Sequence, residues 1–576
     1  MTRFPPSRVT LPTIRVGVVA AVAAICWSAT AQAQIPSDIG PVSGILPTTG
    51  FGNATSASIR NFVNPLQPSG NAQGINYGGS LGAQVGYIDN ANGASTAQGS
   101  KPIGSFEGRL TPSIFVSGET RLVQVNLAYN PTLYYYPSDQ SQNRISQNLN
   151  GSVQGTIIPE TLFLNLRGFA TDTSSSGVYN PSGTQTVNRQ DVEQIYSFSA
   201  APSLTHTFSD IGTLQAYYSI SDTTTLNPGN GSNNNVNNIN NINNGFGNYQ
   251  PNYLVASGDT RTLTQSENAT FTSGSDFGRY HHTFALTGTQ TTGTNGTPDS
   301  HRDIANYGLA YAINRFVSLI GTVGYEDLSY GASSVNGVTT SNPYKVSGMI
   351  GGAGVKLTPN ADSSATLTYG WIDGGASFTL DATYKPTART SLYASSSSGI
   401  TTNSQQISGF VSDSTINDNG ISVDPNTGAP LQFANTMVGG TNQAYRMTRT
   451  SVTGALLLDR DTFSATVIAS EQKNPGGPVI QNVNSNSVFG SLSWQHELSE
   501  TLSSNLSAHF GVQQSPSTST SASSSTKSVA IDALVSKIIN EKLSASLIYS
   551  FINSDGNSAY GHVIINEILL GVTQRF

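Results

Sequence analysis

Tyr560-Gly-His-Val-Ile-Ile-Asn-Glu-Ile-Leu-Leu-Gly-Val-Thr-Gln-Arg-Phe576 sets the period by which the rest of the chain can be read. Counting back from Phe576, Val572, Leu570 and Ile568 share one parity, and only Gln574 breaks the row. A period of two places these side chains on one face of a β-strand.

The same period recurs upstream. From Arg121 to Tyr135 one parity reads Arg121, Val123, Val125, Leu127, Tyr129, Pro131, Leu133, Tyr135, against Gln124, Asn126, Asn130 and Thr132. Leu502, Leu506, Ala508, Phe510 and Val512 stand against Ser503, Asn505, Ser507, His509 and Gln513. Leu543, Ala545, Leu547, Tyr549 and Phe551 stand against Ser544, Ser546 and Ser550. Such runs exceed the usual strand of about 5–6 residues. They suit the roughly 9–11 residues with which a tilted strand crosses a bilayer.

Connections alternate in length. Short ones fall at Ser117–Glu119, Pro159-Glu160, Ser209–Gly212, Asn314-Arg315, Asp459–Asp461, Leu498–Glu500 and Ile539–Glu541. Between them lie longer stretches rich in Asn, Gly, Ser and Thr: 172–190, 223–258, 331–342, 400–443, 472–484 and 514–526. Short periplasmic turns alternating with long external loops are the pattern of outer-membrane barrels. The fold class expected is all-β: a transmembrane antiparallel up-and-down β-barrel of about 22 strands, within a range of about 20 to 24. The strand cores run from 75–88 and 103–117 at one end to 541–552 and 560–576 at the other. An even number returns the last strand to the first, which removes both sheet edges. Tyr134-Tyr135-Tyr136, Tyr217-Tyr218, Tyr325, Trp371, Trp494 and Tyr549 are expected to form interfacial belts.

Composition agrees. Charged residues make up 10% of the chain, against about 25% in soluble domains. Residues 1–33 are expected to be a cleaved signal peptide: Arg3, Arg8 and Arg15 precede the apolar stretch Val16–Trp27, and Ala31-Gln32-Ala33 offers an A-x-A site ahead of Gln34. Cys26, the single cysteine, would leave with it, so neither disulfide nor thiol chemistry is expected afterwards. The whole chain carries a net charge of −7, and loss of the three arginines takes it to −10, which excludes a basic nucleic-acid footprint. Residues 34–72, with five prolines, read as a periplasmic or luminal linker segment ahead of a barrel spanning 73–576. About 40 residues are too few for a plug domain, so the lumen is expected to be open or narrowed by loops such as 223–258 and 400–443.

Motifs for catalysis, cofactors or metals do not stand up. The seven histidines show no HxxxH or HExxH spacing, and His281-His282 point to opposite faces of a strand. Gly351-Gly352-Ala353-Gly354 lacks the strand–loop–helix context of a phosphate loop. Gly78-Gly79-Ser80-Leu81-Gly82 matches the nucleophile elbow as a string but continues as a strand, so no enzyme is expected. The polar row on each strand is mainly Ser, Thr, Asn and Gln, a lining suited to neutral hydrophilic solutes. The alternative is a non-conducting surface adhesin or structural barrel acting through its long loops.

The apolar row ending in an aromatic, Ile568, Leu570, Val572 and Phe576, resembles the insertion signal of Gram-negative outer-membrane barrels. That resemblance implies Sec-type export and recognition by the barrel-assembly machinery, in a bilayer carrying lipopolysaccharide. The ending Asn566–Phe576 and the repeated strand openings (Glu160-Thr-Leu-Phe-Leu, Arg315-Phe-Val-Ser-Leu, Arg389-Thr-Ser-Leu-Tyr, Glu500-Thr-Leu-Ser-Ser, Glu541-Lys-Leu-Ser-Ala) resemble the beta-barrel porin type-two family found near exopolysaccharide loci. Gln574 departs from the aromatic usual there. The resemblance implies a part in polysaccharide export and partnership with an export apparatus; it assigns no functional residues.

Overall fold

The computed structural model describes residues 74–95, 101–174, 192–226, 260–294, 296–335, 338–413, 415–416, 422–423, 444–475, 484–515, 524–556 and 561–576. The expected signal peptide with Ala31, Ala33 and Gln34, the 34–72 segment, and most of the loops 172–190, 223–258 and 400–443 lie outside the described residues.

Twenty-two long strands form one sheet. They are β1 Gly74–Ile88, β2 Ser105–Glu119, β3 Val123–Tyr129 continued by Thr132–Tyr135, β4 Arg144–Ser146 continued by Leu149–Ile158, β5 Leu162–Ser174, β6 Val192–Phe208, β7 Gly212–Leu226, β8 Thr260–Ser273, β9 Tyr280–Gly293, β10 Ser300–Ala312 and β11 Val317–Tyr330. The circuit goes on with β12 Tyr344–Asn360, β13 Ser363–Ile372, β14 Gly375–Thr387, β15 Thr390–Thr401, β16 Tyr445–Leu457, β17 Asp461–Lys473, β18 Ser485–Ser499, β19 Leu502–Ser515, β20 Ser524–Asn540, β21 Leu543–Asp555 and β22 His562–Arg575. Each pairs antiparallel with the next, and β22 pairs with β1 from Ser80↔Arg575 to Ile88↔Glu567. The sheet is therefore a closed up-and-down barrel. The expected strands recur within a few residues. Their two interruptions follow from chemistry: Pro131 has no N–H for the ladder, and β4 breaks opposite it.

The short connections gather at one rim and the long ones at the other. Register shifts precede several short turns, as at Leu357/Asn360, Tyr384/Thr387, Glu497/Ser499 and Ile538/Asn540. Bulges there tighten the local twist as each strand ends.

Alternation sorts the side chains. One parity of β19–β22 puts Leu506, Phe510, Val529, Val535, Leu547, Tyr549, Ile568 and Leu570 on the exposed outer surface. The other parity faces inward with Ser507, His509, Asp532, Ser546 and Ser550. The expected belt is corrected in two places. Tyr135, Tyr218, Tyr325, Trp371, Trp494 and Tyr549 are exposed outside, but Tyr136 is buried and Tyr134 packs against the same inner cluster. Consecutive strand residues cannot share a face. Tyr217 takes the inward parity beside the outward Tyr218 for the same reason.

The glycine runs do strand work. Gly351–Gly354 lies within β12, where a Cβ on Gly354 would come 2.3 Å from the Leu367 carbonyl oxygen. Gly78 in β1 sits against the Phe115 ring. No elbow or phosphate loop forms at either.

Candidate functional site

The interior is the candidate site, and a helix lies in it. Asn403–Asp413 forms α1 after β15. Its start is a capping box. The Gln405 N–H donates to Thr402 Oγ1 at 3.2 Å, and the Thr402 N–H donates to Gln405 Oε1 at 3.1 Å. The first helical bond, Gln406 N–H to the Thr402 carbonyl, is 3.0 Å long.

The helix is tied to walls far apart around the circuit. Tyr330 of β11 donates its hydroxyl to Gln405 Oε1 at 2.9 Å, and Gln405 Nε2 donates to Ser300 Oγ of β10 at 3.1 Å. Tyr445 of β16 donates to Asn403 Oδ1 at 2.5 Å and accepts from Gln406 Nε2 at 2.8 Å. On the other side Ser408 Oγ meets Thr223 Oγ1 of β7 at 3.1 Å. β7 and β16 are nine strands apart. A circular barrel of 22 strands would measure roughly 40 Å across its backbone. The 11-residue helix is about 16 Å long. It narrows the interior without filling it.

A second element folds inward beside it. The turn between β13 and β14 is only Asp373-Gly374, and Ile372 packs with Ile304 and Ile350. Asp373 is fully buried and carries four contacts. Arg302 of β10 pairs with its Oδ1, and the Ile400 N–H donates to Oδ2 at 3.0 Å. Its carbonyl accepts from the Tyr344 hydroxyl at 3.1 Å and from Arg446 Nη2 at 2.5 Å. The Ile400 bond places the turn next to the residues that lead into α1.

A third cluster lies inside the seam. Arg109 of β2 pairs with Glu107 on its own strand at 2.5 Å and with Glu567 of β22. Its side chain thus crosses β1, where Gly86 is paired with Glu107 and carries no side chain. Tyr136 donates to Glu107 Oε1 at 3.0 Å, and Arg109 and Arg144 both stack on the Tyr134 ring.

These clusters were not expected from the sequence, which gave an inner face almost free of charge. The inner charges exist, but Arg109, Glu107, Glu567, Arg302 and Asp373 are buried against one another rather than displayed. Elsewhere the inner rows carry mainly Ser, Thr, Asn and Gln, as on β17 (Thr462, Ser464, Thr466, Ser470, Gln472), with buried acids such as Asp532, which accepts from the Ser550 hydroxyl at 2.7 Å. Chemically the interior offers hydroxyls and amides.

The structure places Ile568, Leu570, Val572 and Phe576 in one outward row, all exposed. The Phe576 N–H donates to the Gly79 carbonyl at 2.9 Å, so the row runs along the closing seam. At its far end Asn566 is clasped by Asp89, through N–H to Oδ1 at 2.8 Å and Nδ2 to Oδ2 at 2.7 Å. His282 faces outward onto the Tyr307 hydroxyl at 2.7 Å, and His281 takes the opposite parity.

The protein is thus a closed, antiparallel, 22-stranded β-barrel with a polar interior narrowed by a helix and a turn. No family model and no curated protein matches the chain. Among solved structures, the FrpB iron transporter of Neisseria meningitidis is 10% identical with a TM-score of 0.48, over 87% of this chain and 81% of that one. The siderophore receptor PirA of Acinetobacter baumannii is 8% identical with a TM-score of 0.43, over 87% and 80%. The copper transporter OprC is 11% identical with a TM-score of 0.41, over 88% and 82%. With likenesses this distant, the strands' own pairing defines the fold.

Proposed function

We propose that this chain is an outer-membrane channel for hydrophilic, uncharged solutes. One observation carries the reading: a closed 22-strand circuit with an exposed apolar outer surface and an inner surface mainly of hydroxyls and amides, on which Arg109, Glu107, Glu567, Arg302 and Asp373 are buried against one another. Only closed barrels and helices satisfy every backbone group in a bilayer. A 22-strand circumference leaves more room than side chains alone fill. Hydroxyls and amides can exchange hydrogen bonds with sugars without imposing a charge barrier. Transfer of a polysaccharide or its fragments is the finer form of this reading, supported by the neutral lining and by the resemblance of the last strand to exopolysaccharide-associated barrels.

The test is electrical. Barrel refolded in detergent, and shown to be folded by its heat-dependent gel mobility, should give ohmic steps in planar bilayers. Added neutral oligosaccharide should lower the current by partial block. A folded, inserted barrel with no conductance would overturn the channel reading.

A further inference from the structure

The outer surface is not uniform. At about 15 Å along the axis from the short-turn rim, six residues up a tilted strand, β19 carries Ala508 and β21 carries Tyr549. At the same level β8 carries Glu267, exposed and on the outward parity with Ala269 and Phe271. An outward apolar band about 25 Å tall would include this position. Glu267 is paired in register with Gly288 of β9, and Gly288 with Asp303 of β10. A Cβ at Gly288 would come 2.7 Å from Glu267 Oε1, so the carboxylate lies over the glycine and covers it. One step toward the long-loop rim, Gln265 is paired with Gln290. The Tyr218 hydroxyl of β7 donates to Gln265 Oε1 at 3.0 Å.

An acid facing hydrocarbon destabilises a barrel, and an acid retained inside a membrane marks a contact or a pathway. Here it cannot serve the interior, because it points away from it. We propose that the β7–β10 wall is the contact between two copies of this chain related by a twofold axis.

The patch meets the requirement of such a contact, which is that one surface must complement itself. It holds amide donors (Gln265, Gln290) beside carboxylate acceptors (Glu267, Asp303). It also holds Leu286, exposed between the small side chains of Ala269 and Ala305 in register, beside the exposed rings of Phe284 and Tyr307. Donor can meet acceptor, and ring can meet alanine, across the axis.

The inference rests on the membrane reading above, and the experiment separates the two. In a Cys26→Ala background, Leu286→Cys sits on this wall and Leu547→Cys on β21, on another part of the circuit; both positions are exposed. Oxidation of isolated membranes with copper phenanthroline should yield a disulfide-linked dimer from Leu286→Cys and none from Leu547→Cys. Adding Glu267→Leu should abolish most of that dimer while the folded, heat-modifiable monomer persists. If Glu267 faced lipid, the same change would instead raise the monomer's melting temperature and leave cross-linking unchanged, which would overturn the proposal. A folded membrane barrel that gives no Leu286 dimer, or that cross-links there to a protein of another size, would also overturn it. Absence of the chain from the membrane fraction would overturn the membrane reading, and this contact with it.

Discussion

Asp373 adopts φ +56° and Gly374 φ +70°, two consecutive residues in the left-handed region. That is the requirement of a two-residue type I′ hairpin, and Asp-Gly is among the pairs that meet it most easily. The turn explains why the β13–β14 connection is so short. It does not explain why Asp rather than Asn precedes the glycine, since Asn tolerates the same backbone. The reason lies across the interior. Arg302 is buried against the carboxylate, and the Ile400 N–H uses its other oxygen. Asp373→Asn should therefore keep the turn and lose the charge partner. Leaving one member of a buried pair unpaired costs about 3–5 kcal/mol, and the retained amide contacts favour the lower end. Chemical denaturation followed by the fluorescence of Trp371, two residues away, should show an earlier midpoint; an unchanged midpoint would show that the pair contributes nothing to holding the turn.

At the scale of the element, strands were legible and the helix was not. Each strand writes its own period, because one face meets an apolar surround and the other a polar interior. α1, Asn-Ser-Gln-Gln-Ile-Ser-Gly-Phe-Val-Ser-Asp, carries only a short apolar stripe, Ile407, Phe410 and Val411, in an otherwise polar run too brief to set a helical period. Among its described residues Ile407 is buried, and Asn403, Gln405, Gln406 and Ser408 hydrogen-bond to the walls. The signals present were Thr402-x-x-Gln405, a capping box in the middle of a polar loop, and the short apolar set Ile407, Phe410 and Val411 after it. Gln405 also makes several wall contacts, with Oε1 serving the cap and Tyr330, and Nε2 serving Ser300 and Thr291. Gln405→Ala should undo the cap and the ties to Tyr330, Ser300 and Thr291 while the ties to Tyr445 and Thr223 persist, and loss of a cap alone costs roughly 1 kcal/mol. The barrel ladder does not depend on it. The expected result is a larger or noisier single-channel conductance with an unchanged unfolding midpoint. A conductance identical to wild type would mean that the helix does not limit flow.

At the scale of the whole molecule, the inner charges escaped the sequence for a different reason. Arg109 and Glu567 are 458 residues apart and meet only because the barrel closes. Arg302 and Asp373 are 71 apart and meet only because a turn folds inward. Read along the chain, each is a lone charge on a polar row; read around the circuit, each belongs to a cluster of opposite charges. The cluster at the seam also does what the outer face of β22 cannot. Ile568, Leu570 and Val572 are exposed outside, whereas Glu567 ties β22 to β2 across β1 from within. A net charge of −7 on the chain would suggest a cation-selective channel if its acids lined the path. Pairing withdraws Glu107, Glu567 and Asp373 from that path, because a buried carboxylate held against a guanidinium projects less field into a wet interior than a displayed one. The potassium-to-chloride permeability ratio, measured from reversal potentials in a salt gradient, should therefore lie on the order of one to two. Arg109→Met should raise it, since Glu107 and Glu567 would lose their shared cation, and should do so more at low than at high ionic strength. A strongly cation-selective wild-type channel that Arg109→Met leaves unchanged would show that the selectivity is set by other residues and that the paired clusters are structural alone.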